Sequence, residues 1–303
     1  MRTDARYEEL RPLLFSIAYR MVGSVSEAED LVQEAFLRIH RAETDGTEVQ
    51  SPKAYLTAVV TRLGIDHLKS ARVRREQYVG QWLPEPLLTD PAPDAAAQAE
   101  TADSLSMAFL VLLETLTPVE RAVFLLREVF DYGYGEIAKI VDRSEDNCRQ
   151  LYVRARRRVD EGRPRFEASR QQRDELARRF FAAAERGETG ALVEMLAADA
   201  VVYGDGGGKA PSWPQPIYGR ERVARLMAGT VTQATELGAS LQPTQVNGQP
   251  GVVFTDPDGR IAVVMSLDIA DGLVQTIRSV INPEKLAHLG PVADVRAMLR
   301  QAR

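Results

Sequence analysis

The stretch Gly135-Glu136-Ile137-Ala138-Lys139-Ile140-Val141-Asp142-Arg143-Ser144-Glu145-Asp146-Asn147-Cys148-Arg149-Gln150-Leu151 has the spacing of a helix-turn-helix. Ile137, Ala138 and Val141 fall on one side of a first short helix. Asp142 and Arg143 then make the turn, and Ser144 stands where a hydroxyl caps the second helix. That helix keeps Cys148, Leu151 and Tyr152 inward and sends Asp146, Asn147, Arg149, Gln150 and Arg154 outward. Amide side chains match the adenine edge, and guanidinium matches guanine or phosphate. Arg154, Arg156, Arg157 and Arg158 follow as a cationic run able to displace counterions from a DNA backbone. The alternative is a plain helical hairpin with a solvated basic face. The cap, Ala138 and the arginine cluster together favour the DNA-reading hairpin.

Working outward, residues 7–75 read as helix almost throughout. Leu10, Leu13, Leu14, Ile17, Ala18 and Met21 recur at three- and four-residue spacing. Gly23 breaks the pattern, and Ser26 with Glu29 reads as a capping box for a helix burying Ala28, Leu31, Val32, Ala35, Phe36 and Ile39. Pro52 opens a third helix whose apolar side is Tyr55, Leu56, Val59, Val60, Leu63 and Ile65. Arg62, Lys69, Arg72, Arg74 and Arg75 face one acid, Asp66, in the basic stretch that follows. Residues 81–103 are Pro-rich and then Ala-rich, the composition of a linker. Trp82-Leu83 within it fits either a segment that docks or a spacer with an incidental aromatic. Helices resume at 104–159.

Beyond Gly162-Arg163-Pro164 the character changes. Helices at about 170–186 and 189–197 lead into β-branched stretches at 200–203, 252–255, 261–269 and 273–280. Asp256-Pro257-Asp258-Gly259 and Asp271-Gly272 read as hairpin turns, so this part is an α+β unit. The chain has 303 residues and a formal net charge of −5, which leaves local basic patches free to bind DNA. A single cysteine, Cys148, excludes an intrachain disulfide and fits a reducing cytoplasm; with three histidines, a structural zinc site is not expected. No apolar run has the length of a membrane span.

Thr117-Pro118-Val119-Glu120-Arg121-Ala122-Val123-Phe124-Leu125-Leu126-Arg127-Glu128, followed by Tyr134-Gly135-Glu136-Ile137-Ala138, resembles region 4 of extracytoplasmic-function factors of the sigma-70 family. Glu29-Asp30-Leu31-Val32-Gln33-Glu34-Ala35-Phe36 and residues 55–69 are similar to region 2. Trp82-Leu83-Pro84-Glu85-Pro86, Asp205-Gly206-Gly207-Gly208-Lys209 and Asn282-Pro283-Glu284-Lys285-Leu286 resemble the signature motifs of members with a fused SnoaL-like domain.

The resemblance implies two all-α domains followed by a cone-shaped α+β domain of the nuclear-transport-factor-two-like kind. The expected bounds are 1–80 for region 2, 81–103 for the linker, 104–165 for region 4 and 166–303 for the SnoaL-like domain. It implies a non-enzymatic factor that brings core RNA polymerase to promoter DNA, with no cofactor and no metal. Asn147, Arg149, Gln150, Arg154 and Arg157 would contact the −35 element, and Arg62, Asp66, Lys69 and Arg72 the −10 element. Asp30, Gln33, Glu34 and Phe36 would grip polymerase. Trp82, Leu83, Pro84, Asp205, Gly206, Gly207, Gly208, Lys209, Asn282, Pro283 and Lys285 would carry regulatory contacts between domains, so that the C-terminal domain gates the factor in cis. Two alternatives stay open: a small-molecule sensor acting through the C-terminal cavity, and a cyclase-type enzyme using Asp205 as base. The second is disfavoured, because a glycine-rich loop preorganises a base poorly.

Overall fold

Gly23 ends one long helix in a left-handed conformation, and Ser24 opens the next by accepting a hydrogen bond from the Glu27 amide at 3.2 Å. The protein was analysed as a computed structural model, which describes residues 5–76, 78–89, 104–162 and 169–301. The chain divides into one unit of Met1–Gln77 with Leu110–Arg163 and a second of Tyr78–Phe109 with Pro164–Arg303.

In the first unit, α1 (Ala5–Glu8), α2 (Arg11–Val22), α3 (Val25–Thr44) and α4 (Pro52–Glu76) precede α5 (Met107–Leu113), which straddles the boundary. Then come α6 (Pro118–Glu128), α7 (Tyr134–Val141) and α8 (Glu145–Gly162). The expected Ser26 cap is corrected: Ser24 has the extended backbone of a cap, and Ser26 already lies inside α3. Leu14, Ile17, Ala18 and Met21 of α2 are buried, as are Val32, Ala35 and Ile39 of α3. Leu56, Val60, Ile65 and Leu68 line the inner side of α4. Gly64 brings α4 onto α2, since a side-chain carbon there would fall 3.2 Å from Met21 Cβ.

Among the contacts that tie the helices of the N-terminal half to the segment carrying α6 and α7 are two joints. Arg121 is 1% exposed; its Nε donates to the Arg20 carbonyl at 3.0 Å and its Nη1 lies 2.5 Å from Glu114. Burial pulls its pKa down to about 9. Thr57 and Tyr132 share a hydroxyl hydrogen bond at 3.1 Å. At its other end, α6 is closed by a capping box in which Thr117 and Glu120 bond reciprocally, with Pro118 in the first turn.

In the second unit, α9 (Arg170–Glu185) and α10 (Thr189–Met195) lead into β1 (Leu196–Asp205) and β2 (Ile217–Tyr218). Then follow α11 (Arg220–Glu236), β3 (Ser240–Val246), β4 (Gln249–Thr255), β5 (Ile261–Ala270) and β6 (Leu273–Val280). Two short C-terminal helices, α12 (Pro283–Leu286) and α13 (Val295–Gln301), complete it. The strands form a six-stranded sheet in the order β2-β1-β6-β5-β4-β3, parallel only between β1 and β6. Phe180, Leu192, Val223, Met227 and Val231 from the helices pack with Phe254, Leu267 and Ile277 of the sheet. The second helix was expected to run to Ala197, but the strand begins at Leu196, where the backbone turns extended. Asp271 and Gly272 both have positive φ, 52° and 70°, as a type I′ hairpin requires.

The free edge of β3 is covered by the linker. Leu88 bridges Val246, the Thr89 amide donates to the Gln245 carbonyl at 2.9 Å, and the Asn247 amide donates to the Leu87 carbonyl at 2.7 Å.

Arg121→Ala removes a charged donor to the Arg20 carbonyl and to Glu114 from a buried position. The expected cost is about 3–5 kcal/mol, lowering the Tm by on the order of 10 °C or more in a thermal melt.

Candidate nucleic-acid interface

The reading helix α8 is capped by Ser144, which accepts from the Asn147 amide at 3.2 Å after Asp142 turns the chain at φ 54°. Ile137, Ile140 and Val141 bury the inner face of α7, at positions one, four and five of a turn and a half. Ala138 was expected among them, but it is half-buried, and Ile140 takes its place. On α8, Cys148, Leu151, Ala155 and Val159 are buried. Tyr152 is half-buried, its ring stacked at 6.2 Å on Phe124.

Of the residues expected to contact the −35 element, Arg149, Gln150, Arg154 and Arg157 are exposed on α8, and Asn147 is half-exposed beside them. The arginines are interleaved with acids: Arg149 with Glu145 at 3.1 Å, Arg157 with Glu161 at 3.0 Å, Arg154 with Glu120 at 3.5 Å. Exposed pairs such as the first two contribute about 0.2–1 kcal/mol each, little enough for phosphate to replace them. Glu120 is the firmer anchor. Burial acts to raise its pKa, but the Thr117 amide and hydroxyl and the Arg158 and Arg154 guanidiniums outweigh it and hold the carboxyl below its usual value.

The basic set of α4 is arranged differently. Arg62 donates from Nε to the Ile140 carbonyl at 2.8 Å and from Nη2 to the Lys139 carbonyl at 2.7 Å. It therefore closes the C-terminal end of α7, the first helix of the helix-turn-helix, where a cation is favoured. Asp66 and Lys69 pair with each other at 2.9 Å in the open. The Arg72 side chain lies outside the described residues. Of the expected polymerase-facing residues, Asp30 and Gln33 are exposed on α3 and Glu34 pairs with Arg38 at 2.8 Å. Phe36 turns inward at 7% exposure, with the Arg11 guanidinium 5.4 Å from its ring centre.

The three expected regulatory motifs meet within the second unit, at one carboxylate. Asp205 ends β1 with 0% exposure. Its Oδ1 accepts from the Tyr78 hydroxyl at 2.5 Å; its Oδ2 accepts from the Leu83 amide at 2.8 Å and from Lys285 Nζ at 2.7 Å. Lys285 also donates to the Leu83 carbonyl and sits 4.4 Å from the Trp82 ring centre and 4.9 Å from that of Tyr78. Asn282 caps α12 and donates to the Tyr78 hydroxyl at 2.9 Å. Burial and the Asp205 carboxylate push the Tyr78 phenol well above its ordinary value, so it stays a donor through the neutral range.

Gly207, at φ 57°, lies where a side-chain carbon would come within 2.3 Å of Asn282 Nδ2 and 2.9 Å of the Tyr78 hydroxyl. Lys209 pairs with Glu284 at the rim, and Pro84 is buried beside Leu83. Pro283 opens the first turn of α12.

Sequence reasoning missed Tyr78, Asn247 and His288. Asn247 is fully buried; its Oδ1 accepts from the Leu87 amide at 2.9 Å and its Nδ2 donates to the Leu105 carbonyl at 3.1 Å. One side chain thus holds linker segments on both sides of residues 90–103. His288 Nε2 lies 2.8 Å from the Pro86 carbonyl. The dipeptide Asn247-Gly248 signals a turn, and nothing local shows that the asparagine faces inward. Among the described residues no group of side chains is arranged to hold a metal, and no helix is long and apolar enough to cross a membrane.

The family profiles for sigma-70 region 2 and sigma-70 region 4 match residues 6–74 and 106–159. The chain is 35% identical to the ECF RNA polymerase sigma factor SigJ of Mycobacterium tuberculosis, over 97% of this chain and 96% of that one. It is 33% identical to a probable ECF RNA polymerase sigma factor, SigI, of the same organism, over 93% and 94%. The crystal structure of the M. tuberculosis SigJ superposes with a TM-score of 0.73, covering 93% of this chain and 98% of that one at 34% identity.

Asp205→Asn replaces a charged acceptor by a neutral one at a site where charged hydrogen bonds contribute about 1.5–3 kcal/mol. Hydrogen exchange at the Leu83 amide is expected to accelerate on the order of 10- to 100-fold, with the amides of β4 and β5 unchanged.

Proposed function

The chain belongs to the extracytoplasmic-function sigma factors, which direct RNA polymerase to promoters, and from that premise we propose that its promoter output is set in cis by the C-terminal domain. The observation that carries this reading is the docking of the linker on the C-terminal sheet through Asp205, Lys285 and Asn247. Promoter elements at −10 and −35 lie about 85 Å apart along B-form DNA. A fully extended chain over residues 77–109 reaches on the order of 110 Å. With residues 78–89 and 104–109 held on one domain, that reach is withdrawn.

Arg62 supports the same reading. Promoter contacts at −10 require a guanidinium that is now spent on the Lys139 and Ile140 carbonyls of the −35 reader. The joint is exposed and made of neutral acceptors, so phosphate competes with it on favourable terms. Asn147, Arg149, Gln150, Arg154 and Arg157 are the −35 contacts, and Asp66, Lys69 and Arg72 complete the −10 set. Asp30, Gln33 and Glu34 offer an acidic edge to a basic polymerase surface in the cytoplasm. The cyclase alternative loses its base, because both Asp205 oxygens are already occupied by Tyr78, Leu83 and Lys285.

Run-off transcription with core polymerase tests the gating. Lys285→Met is expected to change output several-fold from a cognate promoter while leaving polymerase binding intact; unchanged output contradicts the reading. Asn147→Ala is expected to cost about 1–3 kcal/mol of affinity at one base position. Arg157→Ala is expected to weaken all sequences alike and lower the salt slope by about one, as read by binding titrations at several salt concentrations.

A further inference from the structure

The C-terminal domain encloses a cavity of ≈ 310 Å³ between the sheet, α11 and α13. Trp213, Phe254 and Met265 line its walls, and Met298 and Leu299 of α13 close it from outside. An apolar cavity of about 150 Å³ holds a benzene molecule, so this one has room for on the order of a dozen non-hydrogen atoms. It lies within the usual range for ligand sites.

Ser212 gives the apolar lining a polar point, and Ser279 stands on the same sheet face as Met265 of that lining. Ser279 is 0% exposed, and neither its Oγ nor that of Ser212 meets a hydrogen-bond partner. Register fixes where Ser279 points. It pairs with Met265 on β5 and with Gly204 on β1, so the three share the cavity face. Gly204 leaves the space into which Ser212 and Trp213 fold: a side-chain carbon there would fall 2.6 Å from Ser212 Oγ and 2.7 Å from Trp213 Cε3. Buried hydroxyls without partners are costly, and a ligand oxygen in the cavity would satisfy that of Ser212.

The lid of the cavity is also wired to the linker. Arg296 of α13 donates from Nη2 to the Gly208 carbonyl at 2.9 Å. Gly208 belongs to the loop that follows Asp205, and a side-chain carbon at Gly208 would come within 3.2 Å of Val79 in the linker. A molecule that lifts or seats α13 therefore acts on the loop against which Tyr78 and Val79 rest.

We propose that this cavity is a receptor site for a compact, mostly apolar molecule bearing one hydroxyl or carbonyl, bound between Trp213 and Met298 with its oxygen at Ser212, and that α13 relays occupancy to the docked linker. The regulatory consequence rests on the gating reading above; the binding site does not. Ligand binding shifts a conformational balance only through differential affinity, which the lid contacts supply.

The test uses the full-length protein with 2-naphthol and naphthalene as probes, followed by calorimetry and by hydrogen exchange at Leu83. 2-Naphthol is expected to bind with a Kd on the order of 100 μM, the range open to a ligand of this size. Ser212→Ala is expected to weaken 2-naphthol about fivefold and leave naphthalene unaffected. Ala234→Phe, which fills the cavity, is expected to abolish binding of both. Leu299→Trp fills it from the surface helix and replaces Ala234→Phe if that variant fails to fold. Exchange at the Leu83 amide is expected to change at least threefold at saturation. Failure of both probes to bind, or equal binding to a cavity-filled variant, overturns the site. Binding with unaltered exchange at Leu83 overturns the relay. Neither result alters the Lys285→Met transcription test, so the two ideas fail separately.

Discussion

A carboxylate with no exposed surface must be surrounded by donors, because an unpaired buried charge costs several kcal/mol. Asp205 meets that requirement with donors from two places: Lys285 just after the last strand, and Tyr78 and Leu83 of the linker. Taking the linker away leaves Lys285 as the carboxylate's only donor of the three. The linker is therefore part of the C-terminal domain in energetic terms, although it lies between the two DNA readers in sequence. The glycines at 207 and 208 follow from the same constraint, since Asn282, Tyr78 and Val79 occupy the space that side chains would need, while the Ala210 carbonyl and Ser212 fill the space beside Gly206.

Arginines serve two opposite purposes in the helical unit. Arg121 is sealed in the core between the Arg20 carbonyl and Glu114, where its removal takes a charged donor from both. Arg62 reaches across to α7 from an exposed position and can be drawn off by an anion. The first gives the unit its permanence; the second is, in the proposed reading, a joint that promoter phosphate undoes. The arginines of α8 resemble the second kind, each held by an acid one turn away or by Glu120.

Much of this was legible in the chain itself. Period and capping revealed the helix-turn-helix, and hairpin turns with β-branched runs revealed β4, β5 and β6. Helix α11 was not read: Gly229, Thr230, Thr232 and Thr235 weaken its helical signal, while the stripe Val223, Met227 and Val231 is narrow. Strand β3 carries Pro243, which only an edge strand tolerates. The motif residues around Asp205 were singled out by resemblance, yet their partners Tyr78 and Asn247 were invisible, because nothing local marks a side chain that bonds across more than a hundred residues. Arg62 shows the converse: its charge was plain, but its attachment to α7 depends on how helices pack.

The claim that most needs direct measurement is that the linker leaves the sheet when the factor works. Spin labels at Val79→Cys and Glu236→Cys, in a Cys148→Ala background, report the distance between the linker and α11 by pulsed electron paramagnetic resonance. The account predicts a single narrow distance in the free protein and a longer, broader distribution once core polymerase and promoter DNA are bound. The same narrow distance in the promoter complex would contradict it.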